Sequence, residues 1–287
     1  MTLASAVANV AAEAGYTVDS NVITSTDVTT KQLLAIAQRV NHEIGEQYPW
    51  PKMYTSGSIT LVGGQASYSL PAAFSYYHYE TFWNSSNRWR VLGPMSPQEY
   101  AEIRGYGLNT TVYQRFQVRG ITNTELLISP TPTASQNGNI IIFEYIADRM
   151  ARPRTWATGV VYGANSYTFY NGNYYSTTAG GTTGATAPTH TSGTVSDGGV
   201  SWTFYNGPYK EFLADTDETI FNQKTLEQGM LERFAEIHGL TSVQPRFDIQ
   251  MNEDYSRQQV SKIIYAGGHT RAELFARSGT AVFGTWI

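Results

Sequence analysis

Cysteine is absent from the chain, and with it any disulfide framework, thiolate zinc site or cysteine nucleophile. Charge is sparse as well. Asp, Glu, Lys and Arg make up 15% of the 287 residues, and the net charge is −4 with a pI near 5.7. A grip on nucleic acid needs clustered Lys and Arg that release counterions from phosphates; no such cluster stands out along the sequence, so DNA passing nearby is expected to slide. Long hydrophobic runs are missing too. The most apolar stretches are broken by Gly, Thr or charge within about ten residues, too short to cross a bilayer, so the chain is expected to be soluble with no membrane partner. The Ala-rich start, 1–15, lacks the basic beginning and continuous apolar core of a secretory signal and reads as a short helix or arm.

Motifs for chemistry are equally scarce. His42, His78, His190, His238 and His269 have no metal spacing and no Glu at the offset a zinc helix needs, so each reads as a surface or interface residue. Gly180-Gly181-Thr182-Thr183-Gly184 lacks the Lys of a phosphate-cradling loop, and there is no nucleophile elbow. Asp215-Thr216-Asp217-Glu218 reads as a capping-box-like helix start, which directs these acids and Glu211 to a helix dipole rather than to acid–base work. No catalytic, cofactor or metal residue is assigned. What the chain does have is aromatic area: 13% of residues are Phe, Trp or Tyr, with 20 Tyr. Rings with a polar tip suit large assembly interfaces.

Periodicity supplies the organisation. Leu33, Ile36, Ala37, Val40 and Ile44 recur at helical steps, with Thr29 or Thr30 as the expected cap, and the pattern stops at Tyr48-Pro49-Trp50 because proline clashes with an upstream carbonyl. Thr55–Val62 and Ala66–Leu70 flank Gly63-Gly64 and read as a tight hairpin. Trp83 and Arg88–Val91 read as strand ends. Between Thr155 and Tyr209 the one acidic or basic residue is Asp197, and the segment holds a repeat, Tyr167-Thr168-Phe169-Tyr170-Asn171-Gly172 and Trp202-Thr203-Phe204-Tyr205-Asn206-Gly207. Alternation closed by Asn-Gly predicts two matching strands, each ending in a hairpin turn, within a small inserted β module. Helical period returns through Ile220, Phe221, Met230, Leu231, Phe234 and Ile237 to Gly239, and again after Pro245 through Phe247, Met251, Tyr255, Val260, Ile263 and Ile264.

The helix ending in aromatic-Pro-Trp, the Gly64-x-x-x-Tyr68-x-Leu70-Pro71 run, the Leu92–Tyr100 link into a short helix and the Phe143-Glu144-Tyr145 strand together resemble the head-to-tail adaptor proteins of short-tailed bacteriophages. The resemblance covers 29–150 and 210–268. It implies an α+β fold, an antiparallel helix bundle plus a β-sandwich. The expected division is 1–54 (arm and first bundle helix), 55–152 (sandwich, with a short helix near 96–104), 153–209 (inserted all-β module), 210–268 (long bundle helices) and 269–287 (extended C-terminal tail). Implied for function is a structural virion protein at the head–tail junction, made in the host cytoplasm. It would be one copy of a dodecameric ring beneath the portal, extending the channel for double-stranded DNA and docking the tail nozzle and fibres or spikes. Family tails of this kind engage the portal, which nominates Arg271, Leu274, Phe275, Arg277, Phe283 and Trp286 as portal contacts. Glu227, Glu232 and Glu236 are candidates for an acidic channel lining. The module resembles the small carbohydrate-binding modules of phage structural proteins, with Tyr174, Tyr175, Trp202 and Tyr205 as candidate glycan or fibre contacts. A carbohydrate- or receptor-binding tail protein and a tail-associated cell-wall hydrolase are the alternative readings.

Overall fold

The computed structural model describes residues 2–78, 80–106, 113–120, 124–239 and 246–265. The chain opens with α1, Leu3–Ala14, capped by the Thr2 hydroxyl and closed by Gly15 at φ 79°, followed by α2, Val28–Gln47. The α2 cap is Asp27, not Thr29 or Thr30: its carboxylate accepts from the Thr30 N–H at 2.8 Å and also from the Thr30 hydroxyl. The charged Oδ2 of Asp27 takes both donors at once and binds each more strongly than a neutral Thr hydroxyl would. The chain leaves α2 at Tyr48, and Trp50 is buried with its indole N–H donating to the Ile44 carbonyl.

Eight strands and a short helix follow: β1 Tyr54–Thr60, β2 Ser67–Ser69, β3 Phe74–Tyr77, β4 Trp83–Asn84, β5 Trp89–Arg90, α3 Pro97–Gly105, β6 Arg115–Arg119, β7 Glu125–Ser129 and β8 Ile140–Ala147. They form two antiparallel sheets. One orders β1-β8-β4-β5 with β3 also on β8; the other orders β2-β7-β6. Inward residues of both sheets, among them Ile59, Tyr68, Phe74, Phe82, Phe116, Leu126, Phe143 and Tyr145, make one core, so this region is a sandwich. The stacked rings of Phe116, Phe82 and Phe143 cross from one sheet to the other. The expected Gly63-Gly64 hairpin is not one. β1 pairs with β8 and β2 with β7, so the glycine turn carries the chain between sheets. Gly64 does hold the positive φ (85°) that the turn requires, but turn chemistry fixes where a chain bends and not which strand it then joins. The α3 start matches its sequence signature, with Ser96 and Glu99 forming a reciprocal capping box.

Past β9, Ala151–Arg152, the inserted module contains β10 Val161–Tyr162, β11 Tyr167–Tyr170, β12 Asn173–Ser176, β13 Gly181–Thr182, β14 Thr194–Asp197 and β15 Val200–Tyr205; β16, Glu218–Thr219, then pairs back with β9. The principal sheet orders β11-β12-β15-β14. Asn171-Gly172, at φ 47° and 84°, turns β11 into β12 as expected. Asn206-Gly207 makes no second hairpin: it leads out of the module to Tyr209, whose N–H bonds the Asp148 carbonyl.

The chain ends its described course with α4, Gln223–His238, and α5, Phe247–Tyr265. The α4 cap is Asn222, seven residues beyond the start expected at Asp215. Asp215 instead accepts from the Val22 and Ile23 N–H groups, and Asp217 from those of Leu213 and Ala214. An Asp oxygen satisfies loop donors as readily as helical ones, so the acidic cluster closes a loop. α1, α2, α4 and α5 pack together, with Leu3, Val7, Val10, Leu33, Val40, Ile44, Met230, Phe234 and Phe247 buried in a common core. The N-terminal segment is therefore a working part of the bundle rather than a loose arm.

Candidate functional site

The module's aromatic residues lie mostly inside it. Trp202 and Tyr175 are fully buried and Tyr174 is 5% exposed, while Tyr205 is half-buried against Tyr167. The three tyrosine hydroxyls are taken up by backbone carbonyls: Tyr174 donates to that of Ala151, Tyr175 to that of His190 and Tyr205 to that of Pro208. Burial pushes the Tyr174 hydroxyl pKa up to about 12, although the Arg149 guanidinium 4.6 Å from its ring centroid opposes the shift. Of the candidates for stacking on a sugar ring, Tyr175 and Trp202 thus serve as the module's core, while Tyr174 and Tyr205 pack into the larger core shared with the bundle. A short chain with few Leu, Ile or Met builds its interior from the bulky residues it has.

The candidate channel acids are similarly engaged. Glu227 accepts from Asn9 of α1 and from Gln223. Glu232 accepts from Gln228 and from the Arg246 and Phe247 N–H groups, so it caps the start of α5 from outside. Glu236 is exposed, with Arg233 as its partner at 3.4 Å. Arg271, Leu274, Phe275, Arg277, Phe283 and Trp286 lie outside the described residues.

Three surfaces remain. On the outer face of the β8 sheet, Trp83 stands directly opposite Ile142, with Ile140 two residues along, and all three are 40% exposed or more. This is an apolar stripe in a position where strand alternation normally places polar side chains. On the bundle, Ile237 and Ile249 are exposed at 59% and 61%. Between module, sandwich and bundle lies a cleft of about 410 Å³, lined by Lys52, Tyr54, Thr55, Arg149, Arg152, Phe169 and Tyr174 among others. Sequence reading misses this cleft because its cations come from two distant segments. The closest signal is Arg149, Arg152 and Arg154, at the edge of the uncharged stretch.

The module is clamped to its host beside this cleft. Arg149 donates to the carbonyls of Gly207 and Tyr205 and to Asn206 Oδ1, and Arg152 pairs with Glu218. Asp217, 1% exposed, accepts from the Tyr209 hydroxyl at 2.8 Å and from the Leu213 and Ala214 N–H groups through one oxygen. Burial raises its carboxyl above the ordinary 3.8, against the pull of those donors. Asp217→Ala leaves the buried Tyr209 hydroxyl and two part-buried N–H groups without their acceptor and is expected to cost about 2 kcal/mol in denaturant unfolding. Because the folded value is raised, the Asp217 contribution is full below pH 3.8 and is lost as pH rises through the folded value. The stability of wild type relative to Asp217→Asn should accordingly fall across that window.

Among the described residues, no group of His, Asp and Glu is placed to hold a metal ion, and no helix is long and apolar enough to cross a membrane. No curated protein matches the chain. The model of the SU10 adaptor protein family matches residues 1–216. The chain belongs to the SU10 adaptor family. It is therefore a phage head–tail adaptor, a structural rather than a catalytic protein. The family match includes α1 and runs through the inserted module, both outside the span of 29–150 and 210–268 over which the motif resemblance was drawn. It stops just before β16, short of α4 and α5.

Proposed function

We propose that this SU10-family adaptor is one copy of a closed ring, twelve subunits round, that joins the portal to the tail nozzle and continues the DNA channel. The family match over residues 1–216 carries the reading. A head-to-tail ring needs two different complementary patches on each subunit. The Trp83, Ile140 and Ile142 stripe and the bundle positions Ile237 and Ile249 offer apolar area for such contacts. In this reading the tail, 269–287, anchors the ring to the portal, with Phe275, Phe283 and Trp286 as apolar anchors, Leu274 beside them, and Arg271 and Arg277 as polar contacts. Glu236, the exposed acid of α4, faces the lumen and keeps phosphates from sticking, with the half-buried Glu227 and Glu232 behind it. Fibres or spikes dock on the outer rim. The buried state of Tyr174, Tyr175 and Trp202 weighs against the glycan-binding alternative.

Mass photometry and negative-stain imaging of the full chain with its phage's portal ring test this. Portal-bound rings are expected, and a chain ending at Gly268 should lose them. A full chain that stays monomeric and ignores the portal would overturn the reading.

A further inference from the structure

Strand β1 is a sheet edge without the usual guards. Tyr54–Thr60 pairs with β8 alone among the described residues, in unbroken register. Its sequence, Tyr-Thr-Ser-Gly-Ser-Ile-Thr, contains neither the Lys nor the Pro with which exposed edges are commonly blunted. Hydrogen bonds on β8 fix which groups point outward. Glu144 donates its N–H to the Thr81 hydroxyl and accepts from the His78 N–H, while the Ile140 carbonyl accepts from the Ser85 N–H. All these bonds lie on the side of β8 away from β1. The residues opposite, Ser56 and Thr60, therefore turn their N–H and C=O groups to the free edge, and Ser58 between them does the same. Ser56 and Ser58 are exposed.

β1 begins in the module–host cleft, where Tyr54 and Thr55 form part of the wall. Lys52, Arg149 and Arg152 line that cleft and, among the described residues, no carboxylate does. Among the described residues one counter-charge, Glu218 on Arg152, is bonded to the three cations; Arg149 is held by neutral oxygens, and Lys52 donates to the Ile220 carbonyl at 2.9 Å. Desolvation and the nearby Arg152 charge hold the Lys52 ammonium below its ordinary range, against a smaller pull from Asp254. An excess of positive charge sits in a concave, partly apolar site, beside Phe169, in a chain whose net charge is −4.

We propose that the cleft and the free edge of β1 form one docking groove for an extended, carboxylate-bearing peptide segment of an assembly partner. The segment adds as a strand antiparallel to β1. Since β1 runs out of the cleft, an antiparallel strand runs into it and delivers its C-terminal end, with the acidic group, to Lys52, Arg149 and Arg152. Main-chain pairing supplies affinity and the charge contact supplies direction and selectivity. A nucleic-acid phosphate or a sulfated sugar satisfies the cations but makes no use of the strand edge, which favours the peptide. Only the identity of the donor as a neighbouring virion protein rests on the adaptor reading.

Fluorescence anisotropy on the full chain tests the groove without any ring forming, so its outcome is separate from portal binding. The probe is a labelled peptide of alternating Thr and Val ending in Asp-Glu. It is compared with its Asn-Gln counterpart, with a copy N-methylated at alternate residues, with a duplex oligonucleotide and with a sulfated glycan. The acidic peptide should bind about tenfold more tightly than the Asn-Gln and N-methylated forms, and Lys52→Gln should cut the preference over Asn-Gln to about threefold or less. Ser58→Pro, which blocks the edge without removing a bond to β8, should weaken both unmethylated peptides about tenfold. Equal binding of the acidic and Asn-Gln peptides, retained binding of the N-methylated form, or tighter binding of the oligonucleotide or glycan would overturn the proposal.

Discussion

Gly229→Leu should drive the helices of the bundle apart and lower stability by about 3 kcal/mol, with a large drop in the denaturant midpoint. Gly229 lies mid-way along α4 and is buried at the point where α2 and α5 converge. A Cβ there would stand 2.6 Å from the Val40 methyl and 2.7 Å from the Phe247 ring, closer than real carbon contacts allow. Val40 is fully buried and β-branched, and Phe247 is locked at the start of α5, so neither retreats without moving its helix. Gly229→Ala separates this clash from backbone effects. Alanine gains about 1 kcal/mol of helix propensity, so a net loss in that variant measures crowding directly. Wild-type midpoints in both variants would show that the helices have room to spare and would refute the account.

Trp202→Ala should unfold the module while leaving its host intact. Trp202 is fully buried and meets Tyr162 edge-on at 4.9 Å, in a core whose other fully enclosed members are Tyr175 and Val200. Removing a buried Trp costs about 3–5 kcal/mol, on the order of the whole stability available to so small a core. The loss is tempered slightly, because the indole N–H has no hydrogen-bond partner among the described residues and its removal leaves no acceptor orphaned. Limited proteolysis followed by mass spectrometry reads the result. New cuts between 155 and 208, with the bundle and sandwich still protected, are expected; cuts throughout would mean that module and host unfold as one unit.

The long helices are legible in the sequence because burial imposes a period on them. Leu33, Ile36, Ala37, Val40 and Ile44 all lie in the core that their spacing predicts, and Gly239 ends α4 at φ 65°. Local capping chemistry at Ser96 and Glu99 is equally readable, since every partner lies within one turn. Pairing across the chain is not. Gly63-Gly64 announces a bend but carries nothing about β7 or β8, and Asp215 and Asp217 find their donors in loops that only the tertiary fold brings near. The candidate site follows the same division. An aromatic repeat is visible as a module, yet which of its rings face inward depends on pairing register, and Lys52 meets Arg149 and Arg152 only once β1 lies alongside β8.

The chain departs for the module at Arg152 and is back at Tyr209, whose carbonyl accepts from both Met150 and Ala151. The stem is sealed before the excursion begins, by those bonds and by the pairing of β9 with β16. The module thus sits on a closed neck: the length of its outer loops can vary with almost no change in the loop closure the host must make, while Tyr167, Phe169, Tyr174 and Tyr205 tie its near side into the bundle core. The loops of 153–208 that point away from the bundle mark the place on this adaptor where an engineer wishing to decorate a phage neck can add chain without reopening the host.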